Sequence, residues 1–272
     1  MSLIQKGQTY SWFNPHVCPK CSLKRECVRA SAFWADERRY FWLSKGVEEP
    51  QSEAMQRGQD LHMKETFGYP TLDDYGYENF LIDAGRFPIT LKEVMVCNNE
   101  IGIRGRVDLL TLRSFPDGIH VRITEIKHGF RPTYYLQLAA YAMIFSTRHV
   151  ILHVKDRPFY ARPFQQKKVI NVWGQFTING EPIPPIHFIH NNMATEAANG
   201  YMMAVQKRRK RFLSFHRMGL YAVDQIPYCK GCTYEHPRCG LGSFCFDHPY
   251  RPEGEQMAFG KAKPLVKLKA RR

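Results

Sequence analysis

The stretch from Gly105 to Lys127 constrains the fold more than any other part of the chain. It opens on Gly105-Arg106-Val107-Asp108, turns at Pro116, Asp117 and Gly118, and returns as His120-Val121-Arg122-Ile123-Thr124-Glu125-Ile126-Lys127. The second run alternates polar and apolar residues and reads as a strand. Side chains two apart on a strand share a face. Glu125 and Lys127 therefore emerge together, and Ile126 turns to the core. Pairing of the two runs across the turn brings Asp108 to the same place. Two carboxylates gathered there attract a hard divalent cation such as Mg²⁺ or Mn²⁺. A lysine beside them stabilises a developing anion or orients a water. Taken alone the D…E-x-K pattern is short and common, and an exposed hairpin with solvated charges accounts for it as well.

The flanking segments supply a setting. Ala30 to Ser44 reads as a helix with Phe33, Trp34, Tyr40, Phe41 and Leu43 as its apolar face. A second helix is expected from Pro50 to Thr66. Gly58 within it costs about 1 kcal/mol against alanine, which suggests a close backbone approach. His62, four residues on, shares its face; by itself it reads as a half-buried, satisfied histidine. Gly68 to Phe87 reads as loop. Ile89–Glu100 and Ile101–Leu112 read as strands joined near Asn98-Asn99. Pro132 to Arg148 is a helix with proline in its first turn. It sets Gln137 and Tyr141 one turn apart, against an apolar face of Leu136, Ala139, Ala140, Ile144 and Phe145. Val150–Val154 and Phe159–Pro163 are short strands. The order βββαβ, with acids on the second and third strands, describes a compact mixed α/β core.

Beyond that core the pattern is less decisive. Gln165 to Pro185 fits strand, loop or lobe. Asn191 to Leu220 is a long helical pattern carrying Lys207, Arg208, Arg209, Lys210 and Arg211. Five consecutive cations form either a solvated face or a track for phosphates. The net charge of +14, from 39 basic and 25 acidic residues, favours a polyanionic partner, most simply nucleic acid. No apolar run approaches the roughly 20 residues of a membrane span, and the start of the chain does not resemble a secretory signal. A reducing, cytoplasmic setting is expected, and no membrane partner.

In such a setting clustered cysteines point to metal rather than disulfides. Seven of the eight cysteines form two groups: Cys18, Cys21 and Cys27, then Cys229, Cys232, Cys239 and Cys245. A C-x-x-C pair on one turn suits zinc or an iron–sulfur cluster. Seven thiols fill one four-ligand site with some spare, or one cubane and one zinc site completed by a histidine such as His16, His236 or His248. Cys97 lies apart in a strand and reads as core.

Together these residues resemble a RecB-type nuclease of the PD-(D/E)XK superfamily. They are similar in particular to the iron–sulfur exonucleases of CRISPR adaptation modules and their phage-borne relatives. Gly58-x₃-His62, Gly105-Arg-Val-Asp108, Glu125-Ile-Lys127 and Gln137-x₃-Tyr141 match the family's motifs in order. The resemblance implies a restriction-endonuclease-like mixed sheet flanked by helices, with a cysteine-clustered lobe joining the N- and C-terminal segments. Residues 1–50 would form the N-terminal part of that lobe, 51–190 the nuclease core, 191–252 the basic helix and second cysteine group, and 253–272 a basic tail. It further implies that His62, Asp108, Glu125 and the carbonyl of Ile126 hold Mg²⁺ or Mn²⁺. Lys127 would assist hydrolysis, and Gln137 and Tyr141 would orient the lysine or contact the DNA backbone. Lys207 to Arg211 would meet phosphates. Cys27, Cys229, Cys232 and Cys239 would hold a [4Fe–4S] cluster, leaving Cys18, Cys21 and Cys245 as alternative ligands or ligands of a second metal such as Zn²⁺. Two departures stand out: the second C-terminal gap is six residues where the family has five, and Cys245 is extra. The expected activity is exonucleolytic cleavage of single-stranded DNA ends in a bacterial, archaeal or phage-infected cell, in company with an integrase or recombination complex. The alternative is a non-catalytic zinc- or iron–sulfur-stabilised DNA-binding or scaffolding subunit.

Overall fold

Alternating apolar positions along the middle of the chain build one mixed sheet. The structure, a computed structural model, describes residues 26–45, 52–147, 149–154, 157–160, 164, 167–227 and 229. In chain order the first elements are β1 (Val28–Arg29), α1 (Glu37–Ser44), α2 (Glu53–Thr66), α3 (Leu72–Tyr75) and α4 (Tyr77–Ala84). The strands β2 (Ile89–Asn98), β3 (Ile103–Ser114) and β4 (Ile119–Lys127) follow, then α5 (Tyr135–Phe145). The rest is β5 (Ile151–Val154), β6 (Arg157–Tyr160), β7 (Val169–Ile178), β8 (Glu181–Pro182), β9 (Ile186–His190), β10 (Met193–Ala194) and α6 (Glu196–Arg217). The sheet runs β10-β9-β7-β4-β3-β2-β5-β6, with β1 beside β3 and β8 beside β7. No helix among the described residues is long and apolar enough to cross a membrane.

Two compact units emerge. The larger takes the described residues of His16–Ala35 and Gln51–Leu213, and so the whole sheet; the smaller takes those of Asp36–Pro50 and Ser214–Arg272. In the larger unit β2, β3 and β4 form an antiparallel meander with Leu91↔Leu110 and Leu110↔Ile123 in register. The ambiguous segment after Gln165 forms β7, which pairs parallel to β4 with Val121↔Val172 and Lys127↔Ile178. Ile170, Val172, Gly174 and Phe176 are buried while Trp173 and Gln175 are half-buried, so the strand alternates; a tryptophan on the outer face and a glycine on the inner one mask that alternation in the sequence. α5 packs against β7, β3 and β4, and every residue from Leu136 to Phe145 is buried. The helix is therefore central rather than one-faced, and its sequence is apolar on all sides for that reason.

Three local expectations change. The segment Gly68–Phe87 is not loop: Thr71 and Asp74 form a capping box on α3, Gly76 at φ 82° breaks the chain direction, and α4 buries Phe80 and Ala84. The N-terminal helix begins only at Glu37, because Ala30–Ala32 forms a separate 3-10 turn. Gly58 meets no atom within 4 Å of a built Cβ, so no close approach explains it.

The smaller unit has its own buried anchor. Arg38, 1% exposed, donates to the carbonyls of Val223 (3.1 Å) and Ile226 (2.6 Å). Lys45 donates to the carbonyls of Phe215 and Met218 at 2.6 and 2.5 Å, capping the end of α6. Phe41, Trp42, Phe215 and Val223 are fully buried.

Candidate active site

Pairing of β3 with β4 brings the acids together. The ladder ends at Leu109↔Thr124, and Asp108 and Glu125 are the next residues along the two strands. Asp108 Oδ2 accepts from the Ile126 amide at 2.8 Å, which locks the aspartate against the end of β4. Ile126 itself is 7% exposed. His62 arrives from α2, where Ser52 caps the first turn by accepting from the Met55 amide. Its Nε2 lies 3.1 Å from Asp108 Oδ1.

Glu125 is 1% exposed. Lys127 Nζ donates to its Oε2 at 2.9 Å, and Gln137 Nε2 donates to the same oxygen at 2.5 Å. Its other oxygen, Oε1, is buried with no hydrogen-bond partner among the described residues. Gln137 and Tyr141 are one turn apart on α5, 3.5 Å from Nε2 to hydroxyl, and both are buried. Tyr141 donates to the Arg106 carbonyl at 2.7 Å. It thereby ties α5 to β3. Gly105 makes this possible: a Cβ there would lie 2.6 Å from the Tyr141 ring and 3.1 Å from Ala30.

Charge follows burial. Removal from water, and then the neighbouring Asp108, push the Glu125 carboxyl up to about 7. Burial works against the Lys127 ammonium, but Glu125 and Asp108 outweigh it and raise its pKa above the usual lysine value. His62 is also held up, chiefly by its hydrogen bond to Asp108 against the opposing effect of burial.

Two features escape the motif reading. Glu93 on β2 places Oε1 3.7 Å from His62 Nδ1 and Oε2 3.5 Å from Arg106 Nη1. A turn at Asn98-Asn99 would have set Glu93 opposite Arg104; the observed turn is at 99–102, with Asn98↔Ile103, and the register Lys92↔Leu109 and Val94↔Val107 brings Glu93 opposite Asp108 instead. The second is an aromatic ledge. Lys127 Nζ lies 5.7 Å from the Tyr134 ring centre, Trp34 meets Tyr134 edge-on at 5.5 Å, and Arg131 lies 6.0 Å over Trp34.

The donor chemistry suits a hard divalent cation: an imidazole, two carboxylates, and a buried carboxylate oxygen without a protein donor. As they stand, the side chains pair with one another, and among the described residues no three His, Cys, Asp or Glu groups converge as a metal site. The fit is therefore one of donor type rather than of preformed coordination.

The remaining expected residues divide. In the basic run Lys207, Lys210 and Arg211 are exposed. Arg208 donates to the carbonyls of Phe33 (2.7 Å) and Ala35 (2.9 Å), and Arg209 to that of Ile101. Two of the five cations thus fix the part of α6 that belongs to the larger unit, since guanidinium N–H groups satisfy carbonyls that helix packing would otherwise bury unpaired. Cys27 is buried in the larger unit and Cys229 in the smaller. Cys18, Cys21, Cys232, Cys239 and Cys245 lie outside the described residues. Cys97 is core, with Sγ 3.1 Å from His153 Nε2. Compared with protein-family models and with curated proteins, the chain matches none.

Proposed function

We propose that this protein is a metal-dependent deoxyribonuclease with a restriction-endonuclease-like core, acting as an exonuclease on single-stranded DNA ends. The observation that carries the reading is Glu125: a carboxylate 1% exposed, with Asp108 across the register and Oε1 left without a protein donor. A fold gains nothing from burying an acid in that way. A cation between the two acids gives the arrangement a use.

His62, Asp108 and Glu125 would hold Mg²⁺ or Mn²⁺, with the Ile126 carbonyl as a further ligand. A bound divalent ion would lower the pKa of a water and offset phosphate charge. Lys127 then stands where it can orient the attacking water and stabilise charge on the phosphoryl oxygens. Gln137 holds Glu125 in a fixed rotamer, and Tyr141 fixes the strand that carries Asp108. The Trp34–Tyr134 ledge beside Lys127 supports a single-stranded substrate, whose unpaired bases can stack there. The exposed Lys207, Lys210 and Arg211 support a polyanion, as does the net charge of +14.

Cys27, Cys229, Cys232 and Cys239 would bind a [4Fe–4S] cluster without redox duty, with Zn²⁺ as the competing occupant of the cysteine groups. Anaerobically purified protein should be brown and absorb broadly near 400 nm (roughly, for iron–thiolate charge transfer). Colourless protein with stoichiometric zinc would overturn the iron assignment. Action beside an integrase or recombination complex in the cytoplasm belongs to the same proposal.

The test of the enzyme is cleavage of end-labelled single-stranded DNA by the full chain with Mn²⁺. Wild type should release short products, and Asp108→Ala and Glu125→Ala should not. Equal cleavage by all three would refute the assigned site. The pairing of His62 with Asp108 and of Lys127 with Glu125 is also what an idle site would show. It favours, as second reading, a DNA-binding or scaffolding subunit, for which DNA would bind and no metal would bring about cleavage.

A further inference from the structure

Glu93 adopts φ 53° in the middle of β2. Among non-glycine residues this left-handed region is uncommon, and Asn and Asp fill it more readily than glutamate. The pairing with β3 holds on both sides, Lys92↔Leu109 and Val94↔Val107. The buried positions nevertheless change phase here, Ile89 and Leu91 before it and Val94 and Val96 after. Glycine or asparagine would relieve such a backbone. The glutamate side chain is 38% exposed, so core packing does not explain it either. What glutamate adds at this position is its carboxylate.

That carboxylate spans two neighbours. Oε1 lies 3.7 Å from His62 Nδ1, and Oε2 lies 3.5 Å from Arg106 Nη1. The opposite nitrogen of the same imidazole, Nε2, lies 3.1 Å from Asp108 Oδ1. The His62 ring is therefore bracketed between two adjacent strands, Nδ1 toward β2 and Nε2 toward β3. Arg106 holds the far oxygen of Glu93, and its own carbonyl is tied to Tyr141.

We propose that Glu93 is a positioning residue for His62: its carboxylate accepts from Nδ1–H, which stays on the ring, so that a divalent cation can replace the proton that Nε2 now shares with Asp108. The role rests on the metal site proposed above. A metal-ligating histidine commonly donates its other N–H to a carboxylate, which fixes tautomer and ring orientation and raises ligand basicity. The 3.7 Å separation is ion-pair range, and the Glu93 side chain is 38% exposed. The left-handed backbone is explained on the same footing, as strain retained where it aims a functional side chain.

The experiment is a Mn²⁺ titration of the full chain, followed by the EPR signal of the free ion. It covers wild type, Glu93→Asn, His62→Ala and the double variant, with melting in EDTA measured alongside. Glu93→Asn should weaken Mn²⁺ binding by about ten- to hundred-fold. Its metal-free Tm should be no lower than that of wild type, because asparagine accepts the backbone angle. A purely structural glutamate would move the melt and spare the affinity. In the His62→Ala background, Glu93→Asn should cost little further affinity. Unchanged affinity in Glu93→Asn overturns the role, and so does an undiminished loss in the double variant, which would make Glu93 act on the ion directly. A wild type that binds no Mn²⁺ overturns the metal site and this role together.

Discussion

Removing the charge of Glu125 should stabilise the metal-free protein and abolish its response to metal. An acid whose folded-state pKa is raised binds more protons folded than unfolded across the interval between the two values, so stability falls as pH rises through it. For Glu125 the interval runs from an ordinary 4.5 to about 7. A carboxyl moved that far makes ionisation cost on the order of 3 kcal/mol more in the folded state. No discount for solvent is needed, since the side chain is 1% exposed. Glu125→Gln removes the cost but weakens the contact with Lys127, leaving a net gain of about 2 kcal/mol at pH 8, or roughly 4–8 °C in Tm. At pH 4.5 the carboxyl is protonated in the folded state and half protonated in the unfolded one, which leaves only about 0.4 kcal/mol of the ionisation effect, and the two proteins should melt nearly together. Added Mn²⁺ should reverse the order, because a ligand at 100 times its Kd stabilises wild type by about 2.7 kcal/mol and the glutamine variant loses that ligand. Thermal melts in EDTA from pH 4.5 to 8.5, repeated with Mn²⁺, read all of this. A glutamine variant that melts below wild type at pH 8 in EDTA would show that Glu125 is a stabilising ion pair and sink the reasoning.

Lys127→Met should lower kcat by about 10²–10³-fold, the size of one lost charge-stabilising donor. Mn²⁺ affinity should stay near wild type; loss of both in parallel would make Lys127 a support for Glu125 instead. Gly105→Ala drives a methyl to 2.6 Å from the Tyr141 ring and should cost about 1–3 kcal/mol by overpacking. Calorimetry checks it, and an unchanged Tm would mean that Tyr141 is free to move. Lys207→Gln with Lys210→Gln should reduce the salt slope of single-stranded DNA binding by about 0.7 per charge. Arg208→Gln, which breaks contacts to Phe33 and Ala35, should lower Tm and leave that slope alone. The opposite pattern would move the phosphate track to the inner arginines.

Strand alternation made the centre of the site legible. The period of two across His120–Lys127 and the turn at Pro116–Gly118 were enough to bring Asp108 to Glu125, because register follows once two strands share a tight turn. Helix spacing did the same for Gln137 and Tyr141. What periodicity cannot carry is which partner a polar side chain chooses. Arg208 and Arg209 look like Lys207 and Lys210 in sequence, yet they point inward to backbone carbonyls, an outcome set by where α6 packs. Gly58 looked like a contact glycine and is not, whereas Gly105 is one for a reason that appears only when α5 lies over β3. The segment after Gln165 hid β7 because Trp173 on the outer face and Gly174 on the inner one blur an alternation that the buried Ile170, Val172 and Phe176 otherwise keep.

Glu93 shows where local rules and site geometry part company. Each level of the sequence argues against it: a glutamate in a strand, at a left-handed φ, facing two further acids across the register. Glu125 breaks the rules differently, as a buried carboxylate beside Asp108 that burial alone would keep protonated near neutral pH. Sequences that fold well keep such conflicts few, and those that persist tend to sit where something other than folding holds them. The two conflicts lie on β2 and β4, the strands on either side of β3, and a single divalent cation would resolve them together. It would stabilise the ionised form of Glu125, and it would give the His62–Glu93 contact a ligand to orient. Two unrelated costs with one common remedy argue more strongly for a metal site than either motif does by its spacing.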